Sequence, residues 1–282
     1  MAAITTKDTG WSQNRTYHSH EAESTLERLV MNAEGRTFSY LSPSLPVSMG
    51  DWWFDVAKPE HFWVRRRFQV MKAIADSVIR DSTSAAEIGC GHGMLQREME
   101  DHYGKPVTGF DLNELALQRN VSRISQLYCY DIRQRDSQFR ERFDLLILFD
   151  VLEHIAAESE FLSSVKFHLA PSGILLVNVP AHQYLYSDYD RAAGHVRRYS
   201  INHLRDISIR NNFKVLAITY WGLPLLPLLV LRKAMRLNRD NGRAGFDSRG
   251  RVLNIALSML AQCEFIPHGM VGTSVMAVLE KT

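Results

Sequence analysis

The sequence predicts an α/β fold, in which a doubly wound, mostly parallel seven-stranded sheet with an antiparallel last strand follows an N-terminal helical cap. After residue 84, short apolar runs alternate with helical segments, the pattern of repeated β-α-β units whose strands are covered on both faces. A glycine-rich string, Glu87-Ile88-Gly89-Cys90-Gly91-His92-Gly93, separates the first run from the first helical segment. A sheet of this kind binds its ligand at that turn.

Residues 1–82 are assigned to a polar tail and the helical cap. Residues 1–20 have no hydrophobic period and are expected to be disordered. A helix is predicted from Ser24, because Glu27 lies at capping-box spacing and apolar residues follow at helical spacing. A second helix is predicted from near Pro59. Its apolar stripe consists of Val64, Phe68, Met71, Ala75 and Val78.

Residues 83–282 form the predicted Rossmann-like domain. Its predicted strands are AAEIG, VTGFD, QLYCYD, FDLLILFDV, GILLVNVP, FKVLAITYW and TSVMAVL. Helical segments are predicted after the first strand (MLQREMEDHY), after the second (ELALQRN) and after the fourth (residues 156–169). Two stretches are longer than a connection requires, namely a loop at 181–213 and an insertion at 221–270. Loops on a rigid sheet are where binding and chemistry concentrate.

Composition excludes several classes of protein. The 282 residues include 33 Lys and Arg against 31 Asp and Glu, a net charge of +2 that argues against a nucleic-acid partner. The three cysteines form no C-x-x-C pair, so neither a disulfide framework nor a cysteine zinc site is predicted, and a cytoplasmic location is expected. No signal peptide and no apolar run of about 18–20 residues, the length that spans a bilayer, is found.

The spacing of the glycines selects the type of ligand. A nicotinamide-type fingerprint needs glycines at the first, third and sixth places. Here Gly89, Gly91 and Gly93 occupy the first, third and fifth places, and Met94 occupies the sixth. This spacing disfavours a diphosphate cradle and a nicotinamide oxidoreductase. It favours a loop that passes close to an amino-acid or nucleoside moiety.

Carboxylates follow the next two strands. Asp111 ends the second strand, where it is positioned to accept hydrogen bonds from a ribose diol. The alternative for Asp111 is a helix N-cap, a role that Asn113 can also fill. Asp131 ends the third strand and can accept an adenine amino group, while Ile132 covers the ring. The alternative for Asp131 is a plain solvated turn.

The motifs E-x-G-C-G-x-G, GFD and FDLLILFDVLEHI resemble those of class I S-adenosylmethionine-dependent methyltransferases, over about residues 60–282. The resemblance implies S-adenosylmethionine as the cofactor. Glu87 and the glycines would hold its methionine part and Phe149 would lie along it. Arg67 would pair with its carboxylate, unless the arginine lies on a solvated face. The implied cofactor-binding residues are Arg67, Glu87, Gly89, Cys90, Gly91, Gly93, Asp111, Leu112, Asp131, Ile132 and Phe149.

Two histidines are candidates for the base that a hydroxyl acceptor requires. His154 follows the fourth strand, and His195 lies in the 181–213 loop, the predicted acceptor loop. The predicted substrate-binding residues are Asp150, Tyr184, Tyr189 and Arg198. The alternative is that His195 and Arg198 only fix the loop to the following helix. Asp150, Glu153 and His154 could together hold a divalent ion, but adjacent helical side chains diverge, so no metal is predicted.

The stretch DRAAGHVRRY, residues 190–199, resembles a subgroup that acts on sugars, lipid-linked glycans or secondary metabolites. The predicted function is therefore methylation of a small-molecule hydroxyl. The alternatives are N- or C-methylation of a natural product and a quinone-type O-methyltransferase. Neither the charge nor the motifs indicate a nucleic-acid substrate.

The insertion begins with an apolar run, residues 221–231, that is followed by a basic cluster. This combination predicts peripheral contact of residues 221–239 with an anionic membrane, or a mouth for an apolar acceptor. The alternatives are a buried cap and a homodimer helix.

Overall fold

In the computed structural model of the protein, the described residues are 29–31, 37–46, 54, 57–234 and 251–282. They contain one nine-stranded sheet in the order β1-β2-β5-β4-β3-β6-β7-β9-β8. The strands are β1 Leu29–Met31, β2 Thr37–Tyr40, β3 Ala85–Ile88, β4 Val107–Asp111, β5 Leu127–Cys129, β6 Phe143–Phe149, β7 Leu169–Pro180, β8 Phe213–Trp221 and β9 Ser274–Lys281. The neighbours from β2 to β7 pair in parallel, whereas β9 is antiparallel to both β7 and β8.

The predicted fold class is confirmed, but the sheet has nine strands and not seven, because β1 and β2 extend it beyond β5. All seven strands predicted after residue 84 form, and the last of them is antiparallel. Strand β6 shows why these runs are continuously apolar, since Leu145 and Ile147 belong to the core on one face, and Leu146 and Leu148 to the core on the other. All four side chains are fully buried. A strand covered on both faces has no solvent-facing position for a polar residue.

Helices cover both faces of the sheet. Those in the described residues are α1 Phe62–Asp81, α2 Met94–Tyr103, α3 Glu114–Gln118, α4 Glu158–His168, α5 Asp188–Ala193, α6 Ile201–Arg210, α7 Leu226–Ala234 and α8 Arg251–Gln262. Apolar residues of α1 and α2 pack on one face, and those of α4 and α6 pack on the other. None of the described helices has the length and apolar character needed to cross a membrane.

Helix α1 forms as its apolar stripe predicts. It begins at Phe62, after the ring of His61 accepts a hydrogen bond from the backbone N–H of Trp63. Of the predicted stripe, Phe68, Met71 and Ala75 are buried in the same core as strand β6, and Val64 is buried elsewhere. The helix assigned to the cap therefore packs directly on the sheet.

The helix predicted from Ser24 is wrong where the structure describes it. Residues 29–31 form strand β1, which pairs antiparallel with β2 so that Leu29 lies opposite Ser39. Strand β2 in turn pairs with β5. A ten-residue helix is marginal on its own, whereas a strand beside an open sheet edge gains backbone hydrogen bonds. The rest of the predicted helix and residues 1–20 lie outside the described residues.

Candidate active site

A cavity of about 330 Å³ lies at the carboxyl ends of strands β3 to β6. Of the eleven residues predicted to bind the cofactor, ten line this cavity, and Gly93 does not. Parallel strands bring their carboxyl ends to the same edge of a sheet, so residues far apart in the sequence meet there. The structure therefore brings the predicted residues together at one site.

The three loop positions favour glycine for different structural reasons. All have positive φ, which favours glycine. A Cβ at Gly89 would lie 2.3 Å from Cγ2 of Val151, and a Cβ at Gly93 would overlap the side chain of Asn120. These two glycines are required by packing. A Cβ at Gly91 would meet no atom within 4 Å, so packing against the protein does not require a glycine at this cavity-lining position.

Asp111 stabilises the same loop. Its Oδ2 accepts a hydrogen bond of 2.7 Å from the backbone N–H of Gly91, and its Oδ1 accepts one of 2.7 Å from that of Asn113. Burial raises the pKa of this carboxyl group. Asn113, not Asp111, is the N-cap of helix α3, because its side chain accepts from the N–H of Ala116. Asp111 therefore does not cap helix α3, and it lines the cavity as a hydrogen-bond acceptor.

Glu87 is the most strongly perturbed acid at the cavity. Its side chain is buried, and among the described residues its Oε2 has no hydrogen-bond partner. Burial raises the pKa of Glu87 to about 8, although the charge of Arg67 opposes the shift. A buried acceptor without a donor is costly. A ligand that brings a cationic donor into the cavity would satisfy it.

Arg67 lies in the cavity wall and not on a solvated face. Its Nη1 donates to Oδ2 of Asp150 at 2.5 Å, and its guanidinium lies 5.4 Å from the centre of the Phe149 ring. Oδ1 of Asp150 accepts a further hydrogen bond from Asn178 at 2.6 Å. Asp150 has a φ of +58°, a strained conformation for a non-glycine residue that clusters at functional sites.

Asp131 and Ile132 line the adjoining wall. The carboxylate of Asp131 caps the 3-10 turn Ile132–Gln134 and accepts from both the backbone and the guanidinium of Arg133. Ile132 is buried. Asp131 therefore caps a turn and also lines the cavity, and its contact with an adenine amino group stays a prediction.

The two candidate histidines are neighbours, but only His154 lines the cavity. The ring of His195 stands edge-on to that of His154, with 4.8 Å between centroids. Nδ1 of His195 is 2.8 Å from Oδ1 of Asp190, and its Nε2 is 4.0 Å from Oε1 of Glu153. Burial opposes ionisation of Asp190, yet the hydrogen bond with His195 and the charge of Arg198 hold its pKa at about 2. His195 therefore has a permanently charged orienting partner.

His154 is expected to remain neutral down to about pH 4. Burial and the charge of His195 lower its pKa to about 4, while a hydrogen bond from the ring to the carbonyl of Gly194 opposes the shift. A histidine with a depressed pKa contributes stability that is present above about pH 6.5 and is lost as the pH falls towards 4. Ring chemical shifts measured against pH test this value. In His195→Ala the His154 midpoint should rise, and an unchanged midpoint would contradict the coupling.

The four predicted substrate-binding residues are placed differently. Asp150 lines the cavity, whereas the lining does not include Tyr184, Tyr189 or Arg198. Tyr184 is exposed and lies against the ring of His182, and the Tyr189 ring centre is 6.5 Å from that of His195. Buried Arg198 donates to Asp190 and to the carbonyl oxygen of residue 181. This geometry supports the alternative that Arg198 fixes the loop.

The side chains of Glu153, His154 and His195 have ligand atoms within 4.8 Å of one another, close enough to share an ion. Glu153 and His154 lie in a 3-10 turn, Leu152–His154, and not in the α-helix assumed from the sequence, and their ligand atoms lie close together although the two residues are adjacent. Asp150 is not part of this set, since both of its oxygens bond to Arg67 and Asn178. The predicted absence of a metal stays a prediction.

Sequence reasoning missed the N-terminal wall of the cavity. Leu45, Pro46, Phe54 and Ala57 line it. A ring nitrogen of His92 lies 2.8 Å from the carbonyl oxygen of Ala57, and the Phe54 ring contacts that of His92. The aromatic-rich segment before helix α1 was the available signal. Its distance along the chain from the glycine loop concealed the contact.

Residues 62–218 match the protein family described as "Methyltransferase domain". The ubiquinone biosynthesis O-methyltransferase of Coxiella burnetii is 26% identical over 148 residues, which cover 49% of this chain and 61% of that protein. The enzyme of the same name from Haemophilus ducreyi is 27% identical over 131 residues, covering 43% of this chain and 54% of its own. The matched part thus spans little more than half the length of these relatives.

Solved structures show the same fold. The plantazolicin methyltransferase BamL, in complex with a substrate analogue and SAH, has a TM-score of 0.52 at 10% identity, with coverage of 78% of this chain and 85% of BamL. A SAM-dependent methyltransferase from Archaeoglobus fulgidus has a TM-score of 0.50 at 16% identity, with coverage of 77% and 94%. Because the family match covers more than half of the chain, this protein belongs to the methyltransferase-domain family.

Proposed function

We propose that this chain transfers a methyl group from S-adenosylmethionine to a hydroxyl oxygen of a small-molecule acceptor. The observation that carries the proposal is one cavity with a set of cofactor-type acceptors at the glycine loop and a neutral imidazole, His154, in its wall. The acceptor is a sugar, a lipid-linked glycan or a secondary metabolite. The alternative, in which the acceptor atom is not a hydroxyl oxygen, is N- or C-methylation of a natural product.

A quinone-type acceptor has separate support. The lining that includes His154 also contains the apolar residues Val151, Ile155 and Phe161. An apolar wall suits a ring hydroxyl better than a hydrophilic sugar. The names of the curated relatives, ubiquinone biosynthesis O-methyltransferases, point to the same class of acceptor.

The residues present fit the cofactor. S-adenosylmethionine, when bound, supplies a methyl group activated on a sulfonium. Glu87, whose Oε2 lacks a partner, would hold the ammonium group of the methionine part, and Arg67 would pair with its carboxylate. Asp111 would accept the ribose hydroxyls. Asp131 would receive the adenine amino group between Leu112 and Ile132. Gly91 has no side chain, which would allow the cofactor to approach the backbone closely, and Cys90 and Phe149 also line the cavity.

Transfer to a hydroxyl also requires that a proton leave the acceptor oxygen. His154 lines the cavity in its neutral form, so we assign it the contact with the acceptor hydroxyl. His195, oriented by Asp190, is the second base of the pair. The remaining contribution of the protein is alignment and exclusion of water. Asp150 positions Arg67 from the same wall. Tyr184 and Tyr189 lie outside the cavity lining, so they would contact only an acceptor that extends beyond the cavity.

The test is release of S-adenosylhomocysteine from S-adenosylmethionine in the presence of a panel of catechols, polyprenyl-linked sugars and free sugars. His154→Ala and His195→Ala should each lower turnover by about a hundredfold or more, the usual contribution of a general base. Both should retain calorimetric affinity for S-adenosylhomocysteine. His102→Ala, a change at a half-exposed histidine outside the cavity, is the control. Two fully active variants would contradict the assignment, and loss of activity in EDTA would contradict the predicted absence of a metal.

We further propose that the protein acts in the cytoplasm, on a membrane surface reached through residues 221–239. Of these residues, 235–239 lie outside the described part of the chain. The described residues 221–234 contain helix α7, and helix α8 lies further along the same insertion. The exposed residues of both helices carry the inference that follows.

A further inference from the structure

Helix α8 has its apolar side towards solvent. Its polar Asn254 faces inward, where it accepts a hydrogen bond from the backbone N–H of Phe62 at 2.9 Å and donates one to the carbonyl of Glu60 at 2.8 Å. On the outer side, Val252 is 81% exposed and Met259 is 66% exposed. A helix that only covers the core shows the opposite arrangement.

Other exposed apolar side chains lie in the same insertion. Sixteen large apolar side chains are exposed in the described residues, and ten of them lie between residues 228 and 270. We call these ten the insertion face: Leu228, Val230, Leu231, Val252, Leu253, Ile255, Met259, Leu260, Phe265 and Met270. So high a concentration in one segment marks an interaction surface and not scattered surface variation.

Charge identifies the kind of surface that fits. The insertion, residues 221–270, contains seven Lys and Arg against three Asp and Glu, a net charge of +4, whereas the whole chain carries +2. The rest of the chain is therefore negative by two charges. If a second copy of the chain covered this face, two positively charged insertions would lie against each other and repel. An anionic bilayer would instead neutralise the positive charge of the insertion. Apolar side chains with basic flanks are the composition of elements that lie in the membrane interface.

We propose that the insertion face docks onto an anionic lipid bilayer, with Phe265 and the outer residues of α7 and α8 in the headgroup region. Phe265 is 91% exposed. The face is fastened to the catalytic part at two places, since Asn254 bonds to the start of helix α1 and Lys233 donates to the carbonyl oxygen of Tyr184 in the acceptor loop. Docking thus brings the acceptor loop to the membrane, where an acceptor with an apolar tail resides.

This inference extends the membrane contact of the proposed function and is tested without turnover. The full chain is sedimented with vesicles of phosphatidylcholine alone and of phosphatidylcholine with phosphatidylglycerol in equal amounts. We expect binding to the mixed vesicles that weakens with salt. The double variant Val252→Asp/Met259→Asp and the single variant Phe265→Ser should each bind about tenfold more weakly. Ile209→Asp, a helical residue of similar exposure outside the face, should bind like the wild type.

Affinity for S-adenosylhomocysteine and thermal unfolding are measured in parallel, so that a failure of the methyltransferase proposal is distinguished from a failure of docking. Phe265→Ser keeps the test valid if the double variant does not fold, because a nearly fully exposed side chain contributes little to the core. Wild-type protein that ignores mixed vesicles overturns the inference. So does a dimer that the variants dissociate, since a second copy would then occupy the face.

Discussion

Replacing Glu87 with glutamine is expected to stabilise the free protein at pH 8.5 and to remove most of its affinity for S-adenosylhomocysteine. The carboxyl group is buried, Oε2 has no hydrogen-bond partner among the described residues, and burial raises its pKa to about 8. Ionised Glu87 thus costs stability in the free protein. The same ionised group is the proposed partner of the cofactor's ammonium. The charge that destabilises the free protein is therefore the charge that binds the cofactor.

The sign of the pH dependence follows from the two pKa values. The pKa of Glu87 rises from its ordinary value of 4.5 to about 8 in the folded protein, so the folded state binds the proton more tightly. The penalty is absent below pH 4.5, grows as the pH rises, and is complete above pH 8. At one pKa unit per 1.36 kcal/mol, the shift corresponds to a few kcal/mol, and we expect Glu87→Gln to recover about 2–4 kcal/mol at pH 8.5.

Denaturant unfolding at pH 6 and pH 8.5, together with calorimetry, measures both effects. S-adenosylhomocysteine affinity of the wild type should rise between pH 6 and 8 with release of a proton, and this rise should vanish in Glu87→Gln. Glu98→Gln is the control, since burial also raises the pKa of Glu98 but the residue does not line the cavity. A Glu87→Gln variant that binds like the wild type would remove Glu87 from the site.

The strands and the strand-end residues were predictable because their causes are local. A run such as FDLLILF is continuously apolar wherever both faces are covered, and parallel strands place Asp111 and Asp131 at one edge regardless of the helices between them. The segment LVM was misassigned because Leu29 and Val30 also fit the helical spacing of the apolar residues around them. Its structure depends on a partner strand, β2, that pairs with a strand nearly ninety residues later.

Contacts that depend on side-chain geometry were not predictable in the same way. Spacing places Gly93 in the loop with Gly89 and Gly91. A glycine is required at 93, however, because a Cβ there would overlap the side chain of Asn120, twenty-seven residues away. Spacing also separates His154 from His195, which meet because the acceptor loop folds back over the Leu152–His154 turn. An apolar period in 251–262 indicates a helix, but which side faces outward depends on where Asn254 finds its partners.

Replacing Gly91 with alanine is expected to weaken cofactor binding about a hundredfold and to lower stability only by the cost of its backbone conformation. The residue has a φ of +53°, and a Cβ there would meet no protein atom within 4 Å. The expected loss of stability is therefore the cost of the left-handed conformation alone, about 1–2 kcal/mol. The same Cβ would enter the space beside the glycine loop that we assign to the cofactor, so affinity for S-adenosylhomocysteine should fall by about a hundredfold, or ~2.7 kcal/mol.

Gly104 provides a matched control. It caps the end of helix α2 with a φ of +64°, a Cβ there would also meet nothing within 4 Å, and it does not line the cavity. Gly104→Ala should lose the same stability and keep full affinity, measured by thermal unfolding and calorimetry. Gly89→Ala should fail in the opposite way, by unfolding, because its Cβ would lie 2.3 Å from Val151. Equal affinities of Gly91→Ala and Gly104→Ala would mean that the ligand does not approach this loop, because conformational strain is the only effect the two substitutions share.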